Sequence, residues 1–168
     1  MDADQLKQLQ NPIKEQYRAD PSSALITLKA EGRPGDGISC KVETTKAVVE
    51  AGLHPATGGN GLLACSGDML LQALVACAGV TMSAVATAIG IKINDCLVKA
   101  EGDLDFRGTL GVSKEVPVGF SAIRLIFNLD SDAPIEQKET LIRLTERYCV
   151  VYQTLIKGVS IKTECKEF

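Results

Sequence analysis

The sequence is poor in aromatic and imidazole side chains. It contains no Trp, and aromatic residues make up only 4% of its 168 residues. Proteins that hold single-stranded nucleic acid stack bases on aromatic rings, so this scarcity argues against a base-stacking platform. There is one histidine, His54, and no C-x-x-C pair, so the ligand spacings typical of zinc sites are absent. We therefore expect no metal site.

The chain also lacks an excess of positive charge and a secretory pattern at its start. Its 18 Lys and Arg face 21 Asp and Glu, for a net charge of −3. Nucleic acids and anionic membranes are bound through clustered Lys and Arg, so neither is an expected partner. Residues 1–7 lack a basic segment followed by an apolar one. We expect a cytoplasmic protein, in which cysteines are more often free, catalytic or metal-binding than disulfide-bonded.

Length and composition predict one globular domain. Hydrophobic periodicity predicts an α+β fold without repeated βαβ units. The predicted elements are a helix in 4–17 interrupted by Pro12, strands at 24–30 and 38–44 around a tight turn at 32–37, a glycine-rich loop at 50–61, a helix capped by Ser66 and running to about Ala88, strands in 92–107 and 121–129, a loop at 108–119, a helix from Pro134 to about Ile156, and a terminal strand at 159–166.

A long segment without charges, Met69 to Ile91, lies in the middle of the chain. It is long enough to cross a membrane. Alanines dominate it, however, and no cluster of Lys and Arg or belt of aromatic residues flanks it. We predict instead a helix that is buried nearly all round. One chain of this size covers one side of such a helix, so we expect a second copy to cover the rest, most simply in a homodimer. The segment also contains polar residues that argue against a membrane span, at Gln72, Thr81, Ser83 and Thr87.

Two of the six cysteines lie in segments that are predicted to be helical. Cys77 is in the middle of the uncharged helix, and Cys149 follows in the next long helix. A thiol in an apolar helix is often inert packing, but two thiols that meet across a fold form a redox pair. Cys65, beside the N-terminus of the uncharged helix, is a rival nucleophile because a helix N-terminus lowers a thiol pKa. The remaining cysteines are Cys40, Cys96 and Cys165.

Three segments in order resemble the OsmC/Ohr family, the osmotically inducible protein C-like and organic hydroperoxide resistance proteins. The first is Gly61–Ala78, which places an acidic residue and a Leu/Ala-rich stretch before a cysteine. The second joins Gly102–Gly111 to Val116–Phe120, and the third is Glu146–Leu155, followed by Gly158. The resemblance extends over roughly residues 24–165. It implies a single OsmC-like domain at residues 24–168, preceded by an N-terminal helical extension at residues 1–23.

The resemblance implies an intertwined homodimer in which antiparallel sheets wrap around two long central helices. It also implies thiol-dependent reduction of organic hydroperoxides or hydrogen peroxide, without a metal or an organic cofactor. Cys77 matches the cysteine that attacks the peroxide and becomes a sulfenic acid. Cys149 matches the cysteine that then forms a disulfide with it. An external dithiol, for example of the lipoyl type, would restore both thiols.

The resemblance further implies an arginine and a carboxylate at the site. Arg33 matches the arginine, whose guanidinium would lower the pKa of the attacking thiol. Asp68 matches the carboxylate that orients it, although peroxidase members usually have Glu where this chain has Gly67 and Asp68. Residue 150 is Val where many members have Pro. Two alternatives stay open, namely a non-catalytic ligand-binding or redox-sensing member and a structural dimer with incidental thiols.

Overall fold

The computed structural model describes residues 2–20, 31–34, 39–43 and 48–166, with the backbone alone at 9, 31–34, 39–43 and 48. The predicted strand at 24–30 lies outside these residues. The order of helices and strands confirms an α+β fold. The elements are α1 (Ala3–Ala19), β1 (Glu31–Pro34), β2 (Ser39–Glu43), β3 (Val48–Gly52), a short 3-10 helix (Pro55–Thr57), β4 (Ala64–Cys65), α2 (Ser66–Ile89), β5 (Asp95–Asp103), α3 (Phe106–Thr109), β6 (Ala122–Asp130), α4 (Ile135–Tyr148) and α5 (Val150–Lys157).

The helix α1 is continuous, so the predicted interruption at Pro12 is wrong. Pro12 removes one backbone hydrogen bond, but the helix starts from a complete capping box that offsets part of this loss. The Asp2 carboxylate accepts a hydrogen bond from the Gln5 amide at 2.8 Å, and the Gln5 side chain accepts one from the Asp2 amide at 3.0 Å. The helix lies against α2.

The first sheet has the order β1-β2-β3-β4 and leads into α2. Strands β1 and β2 are antiparallel, with Arg33 opposite Lys41. The predicted turn at 32–37 is therefore wrong for its first residues, which continue β1 through Pro34. The predicted loop at 50–61 is also partly wrong, because β3 extends to Gly52 and a 3-10 helix follows. Strand β4 pairs with β3 in parallel and delivers the chain to the start of α2.

The second sheet pairs β5 with β6 in antiparallel register and carries the core on one face. Side chains alternate along both strands, as the sequence predicts, and the inward ones pack against α2. The outer face carries an ion-pair network, in which the Arg124 guanidinium binds Asp103 at 2.5 Å and Glu101 at 3.1 Å. The predicted loop at 108–119 is wrong for its first two residues, because Gly108 and Thr109 belong to the short helix α3.

The helix α2 forms the centre of the fold and ends at Gly90, as the sequence predicts. Gly90 has a φ of 74°, the left-handed conformation that glycine adopts without strain. The predicted cap is wrong at the other end. Cys65 is the capping residue, its side chain makes no capping hydrogen bond, and Ser66 is the first helical residue.

One chain covers one side of α2, as expected for a chain of this size, and burial of the rest of the helix by a second copy stays a prediction. The sheet β5–β6 and the helices α4 and α5 contact that side. The opposite side is exposed, and Val80 there is 73% accessible. By length and composition α2 could cross a membrane, a test that the core helix of a soluble protein also passes. The buried residues are spaced by four, at Leu74, Ala78, Met82 and Ala86.

The last predicted helix is two helices that meet at Cys149. Helix α4 ends at Tyr148 and α5 begins at Val150, so the prediction of one helix from Pro134 to about Ile156 is wrong at this break. Gly158 ends α5, as the sequence predicts. The predicted terminal strand is also wrong, since residues 159–166 form neither a helix nor a strand with any described residue.

Candidate functional site

Cys77 and Cys149 lie in one apolar cluster, where α2 meets the junction of α4 and α5. Cys149 is fully buried there beside Leu74 and Ala78. Cys77 packs against the same cluster but is only partly buried. The structure therefore brings the two predicted thiols together and leaves Cys77 as the one that solvent can reach.

The break at Cys149 places the beginning of a helix next to Cys77. Cys149 has φ −73° and ψ 110°, an extended conformation that ends α4 and starts α5. Its N–H donates to the Thr145 carbonyl and its carbonyl accepts from the Gln153 amide, both at 2.9 Å. The Gln153 side chain also donates to the Glu146 carbonyl at 2.8 Å, which ties the two helices across the break. The first amides of α5 are left free of helical acceptors, as at any helix N-terminus.

These amides hold the pKa of Cys77 below its ordinary value. Burial of the thiol is the largest influence and raises the pKa, but hydrogen bonds to the sulfur outweigh it. A hydrogen bond stabilises the thiolate more than the thiol, so each donor lowers the pKa. The donors, in order of influence, are the Val151 amide, the Cys149 thiol, the Val150 amide and the Thr81 hydroxyl.

The pKa of Cys149 is shifted in the opposite direction. Burial raises it most, and the hydrogen bond and negative charge of Cys77 raise it further, against amides of α5 that lower it. The interaction between the two thiols therefore lowers the pKa of Cys77 and raises that of Cys149. Of the two, Cys77 is the better nucleophile.

We expect Val150→Pro to raise the pKa of Cys77 by about one unit, since one hydrogen bond to a charged sulfur is lost. Proline has no N–H, yet it fits the first position of a helix. The extended backbone of Cys149 also suits a residue that precedes proline. The rate of thiol alkylation against pH measures this pKa.

Val150→Ala is the matched control, because it removes the side chain and keeps the amide. Its alkylation midpoint should equal that of the wild type. Equal midpoints for the proline and alanine variants would show that the Val150 amide does not stabilise the thiolate.

The structure does not bring Asp68 to Cys77 within one chain. Asp68 lies in the first turn of α2, nine positions before Cys77. Nine residues of helix place two side chains about 13 Å apart along the axis and on opposite faces. Asp68 instead lines an open groove of about 420 Å³ with Leu71, Val75 and Ala100.

Arg33 lies in β1, and its side chain is outside the described residues. Within the described part of the chain, every influence that lowers the pKa of Cys77 is a hydrogen bond, and none comes from an arginine or a lysine. The predicted roles of Arg33 and Asp68 stay predictions. The hydrogen-bond donors around Cys77 shift its pKa without them.

The other described cysteines lie away from this pair. Cys65 precedes Cys77 by twelve residues, about 18 Å along the helix axis, and so lies outside the cluster. The Cys96 sulfur lies 3.4 Å from the Met82 sulfur, and burial, followed by the charge of Asp95, raises the pKa of Cys96. Cys165 is exposed near the end of the described residues.

His54, for which the sequence predicted no role, makes contacts that stabilise the local structure. Its Nδ1 accepts a hydrogen bond from the Ala56 amide at 3.1 Å, and its ring stacks on Phe106 with centroids 4.8 Å apart. These contacts hold the 3-10 helix against α3. Among the described residues, no three His, Cys, Asp or Glu side chains are placed to hold a metal ion.

Sequence reasoning missed three donors to Cys77. Thr81 follows Cys77 by four residues on one helix, and this spacing on a helix face was a readable signal. The amides of Val150 and Val151 could not be found in this way. They depend on the break at Cys149, where the sequence has neither glycine nor proline.

Comparisons with known proteins agree with this architecture. A family model for OsmC-like protein matches residues 59–164. No curated protein matches the chain. An OsmC-like protein from Mycoplasma pneumoniae aligns with a TM-score of 0.67 and 19% identity, over 80% of this chain and 89% of that one.

Two similar structures are described as organic hydroperoxide resistance proteins. The protein from Legionella pneumophila aligns with a TM-score of 0.62 and 20% identity, over 80% of this chain and 91% of that one. The protein from Bacillus subtilis aligns with a TM-score of 0.56 and 19% identity, over 84% and 98%. At these identities the similarity shows a common fold.

Proposed function

Because the chain belongs to the OsmC-like protein family, as the match over residues 59–164 shows, we propose that it is a thiol-dependent peroxidase that reduces organic hydroperoxides or hydrogen peroxide. The family resemblance expected from the sequence is thus confirmed. Its fold is shared with proteins described as organic hydroperoxide resistance proteins. Cys77 is the attacking thiol and Cys149 its partner.

The proposed cycle uses only the two thiols, a peroxide and an external dithiol. The Cys77 thiolate attacks one oxygen of the peroxide, the O–O bond breaks, and the departing alkoxide takes a proton to become an alcohol. Cys77 is now a sulfenic acid. The Cys149 thiol attacks its sulfur, an S–S bond forms and water leaves. A dithiol then reduces the disulfide and becomes a disulfide itself.

One observation carries this proposal, namely the meeting of two thiols in one apolar cluster, with Cys77 partly exposed and Cys149 fully buried. The attack on peroxide requires a thiol that solvent can reach and that ionises readily. The second step requires a thiol that is shielded from peroxide, since it must survive until the sulfenic acid forms and only then gives up its proton. The lowered pKa of Cys77 and the raised pKa of Cys149 fit these two roles.

One equivalent of hydroperoxide should convert the reduced protein to a Cys77–Cys149 disulfide with loss of both free thiols. Peptide mapping by mass spectrometry, without reduction, would detect the cross-linked peptides. Persistence of both thiols beside unreacted peroxide would contradict the proposal, and so would a disulfide that joins Cys77 to another cysteine.

The matched variant is Cys149→Ser. It should consume the first equivalent of peroxide and then stop, with Cys77 trapped as a sulfenic acid that excess peroxide oxidises further. Normal turnover of this variant with a dithiol would assign Cys149 a packing role only. Disulfide formation in the wild type without turnover, in the presence of several dithiols, would favour the redox-sensing alternative.

We also propose that the active unit is a homodimer built on the exposed side of α2. Cys77 lies on α2 between its covered side and the exposed side that carries Val80, so a second copy on that side would border the site. Val159 and Ile161 are also exposed, in a segment that alternates like a strand but pairs with no strand in the described part of the chain. A second copy would supply partners for both surfaces.

A further inference from the structure

A second cavity lies beside the cysteine cluster, enclosed by α2, β6 and the junction of α4 and α5. Its volume is about 210 Å³. Apolar walls come from Leu74, Ile123, Leu125 and Leu155. A cavity of about 150 Å³ with such walls holds a benzene molecule, so this one admits a small ring or a short alkyl chain.

Two polar side chains reach the cavity, Glu146 from α4 and Tyr152 from α5. Among the described residues, the Glu146 carboxylate has neither a hydrogen bond nor an ion pair, while its backbone carbonyl is held by Gln153. Burial raises the pKa of Tyr152, and the negative charge of Glu146 raises it further. The carboxylate and the phenol therefore line the same cavity, and no Lys, Arg or His of the described residues forms an ion pair with Glu146.

We propose that this cavity binds a small organic cation, an ammonium group carried on a short alkyl chain or a ring. The ammonium would pair with Glu146 and donate to its oxygens. The ring of Tyr152 offers a second attraction, because a cation is stabilised over an aromatic face. Leu74, Ile123 and Leu125 would remove the apolar part of the ligand from water.

The negative charge of Glu146 determines which class of ligand the cavity should prefer. A carboxylate in a partly enclosed, apolar cavity repels an anionic ligand more strongly than it would in water, because the local dielectric constant is lower. An apolar ligand with a neutral head gains only the wall contacts. The site should therefore rank ammonium above alcohol and alcohol above carboxylate for one fixed alkyl chain. This binding needs no thiol chemistry, so it goes beyond the proposed peroxidase activity and can fail or succeed independently.

Three probes with the same chain test the ranking, namely hexylammonium, hexanol and hexanoate. Each is titrated at neutral pH into the reduced, isotope-labelled protein, and amide shifts are followed by NMR. Hexylammonium should bind saturably, with shifts at Tyr152 and Leu155, and at least about tenfold more tightly than hexanoate. No saturable binding, or equal binding of hexanoate, would overturn the proposal.

Glu146→Gln keeps the shape of the side chain and removes its charge. It should reduce the affinity for hexylammonium by about tenfold and leave that for hexanol within about twofold. Glu139→Gln, seven residues earlier on α4 and outside the cavity lining, is the matched control and should behave as the wild type.

A variant-free measurement covers the case in which Glu146→Gln does not fold. Raising the ionic strength from roughly 0.05 M to 0.5 M should weaken hexylammonium binding to the wild type and spare hexanol. An unchanged preference for ammonium in Glu146→Gln, or a preference that does not respond to salt, would show that the carboxylate does not select the ligand.

Discussion

Replacing Cys77 with serine should lower kcat/KM for an organic hydroperoxide by at least roughly 10³-fold, because the nucleophile is lost. A serine hydroxyl is not ionised near neutral pH, and the amides of α5 that stabilise a thiolate cannot make it so. The substitution removes little volume from a partly buried position, so the fold should persist. Consumption of cumene hydroperoxide with a dithiol, followed as peroxide loss, measures the effect.

Cys65→Ser is the matched control, since Cys65 was the rival nucleophile beside the same helix. It should keep the wild-type rate within about twofold, because about 18 Å of helix separates it from Cys77. Full activity in Cys77→Ser together with loss of activity in Cys65→Ser would show that Cys65 is the attacking thiol. Wild-type turnover in both variants would reject a peroxidase based on either thiol.

The sequence alone predicted the pair of thiols but not what shifts their pKa values. Cys77 was predictable as a candidate because it lies in the middle of a long uncharged segment with helical length. Cys149 was predicted as its partner from the resemblance to the OsmC/Ohr family. The predicted source of activation was Arg33 with Asp68. In the described residues the donors are amides of α5, which exist because the chain breaks at Cys149.

That break could not be predicted, for a physical reason. Tyr148 and Val150 flank Cys149 without glycine, proline or a polar capping residue, so local propensity favours one continuous helix. Tertiary packing overrides it here, since both helices contact α2 and Cys149 is fully buried against α2. The prediction of a terminal strand at 159–166 was wrong for a related reason. Alternation at 159–166 is a local signal, but a strand also needs a neighbour to take its backbone hydrogen bonds, and no strand among the described residues pairs with this segment.

The second large effect is expected from Val80→Asp, because this residue lies on the exposed side of α2 that the proposed homodimer would cover. Val80 is 73% exposed in one chain, and in the proposed homodimer it would be buried against the partner. An unpaired carboxylate in an apolar interface costs about 3 kcal/mol or more. The dimer dissociation constant should then rise by over roughly 100-fold. Light scattering after size exclusion should find the wild type at twice the 17.9 kDa chain mass and this variant at the chain mass.

Two further variants separate the interface from general effects of the substitution. Val112→Asp makes the same change at a site that is 72% exposed and lies outside α2, after α3 in the chain. It should stay dimeric. Val80→Thr keeps the shape at the interface without a charge and should also stay dimeric. A wild type that elutes at the chain mass would reject the homodimer, and Cys77 would then have to work with the exposed side of α2 open to water. If Val80→Asp stays dimeric while its fold is intact, the second copy must bind elsewhere, and the site at Cys77 would be complete within one chain.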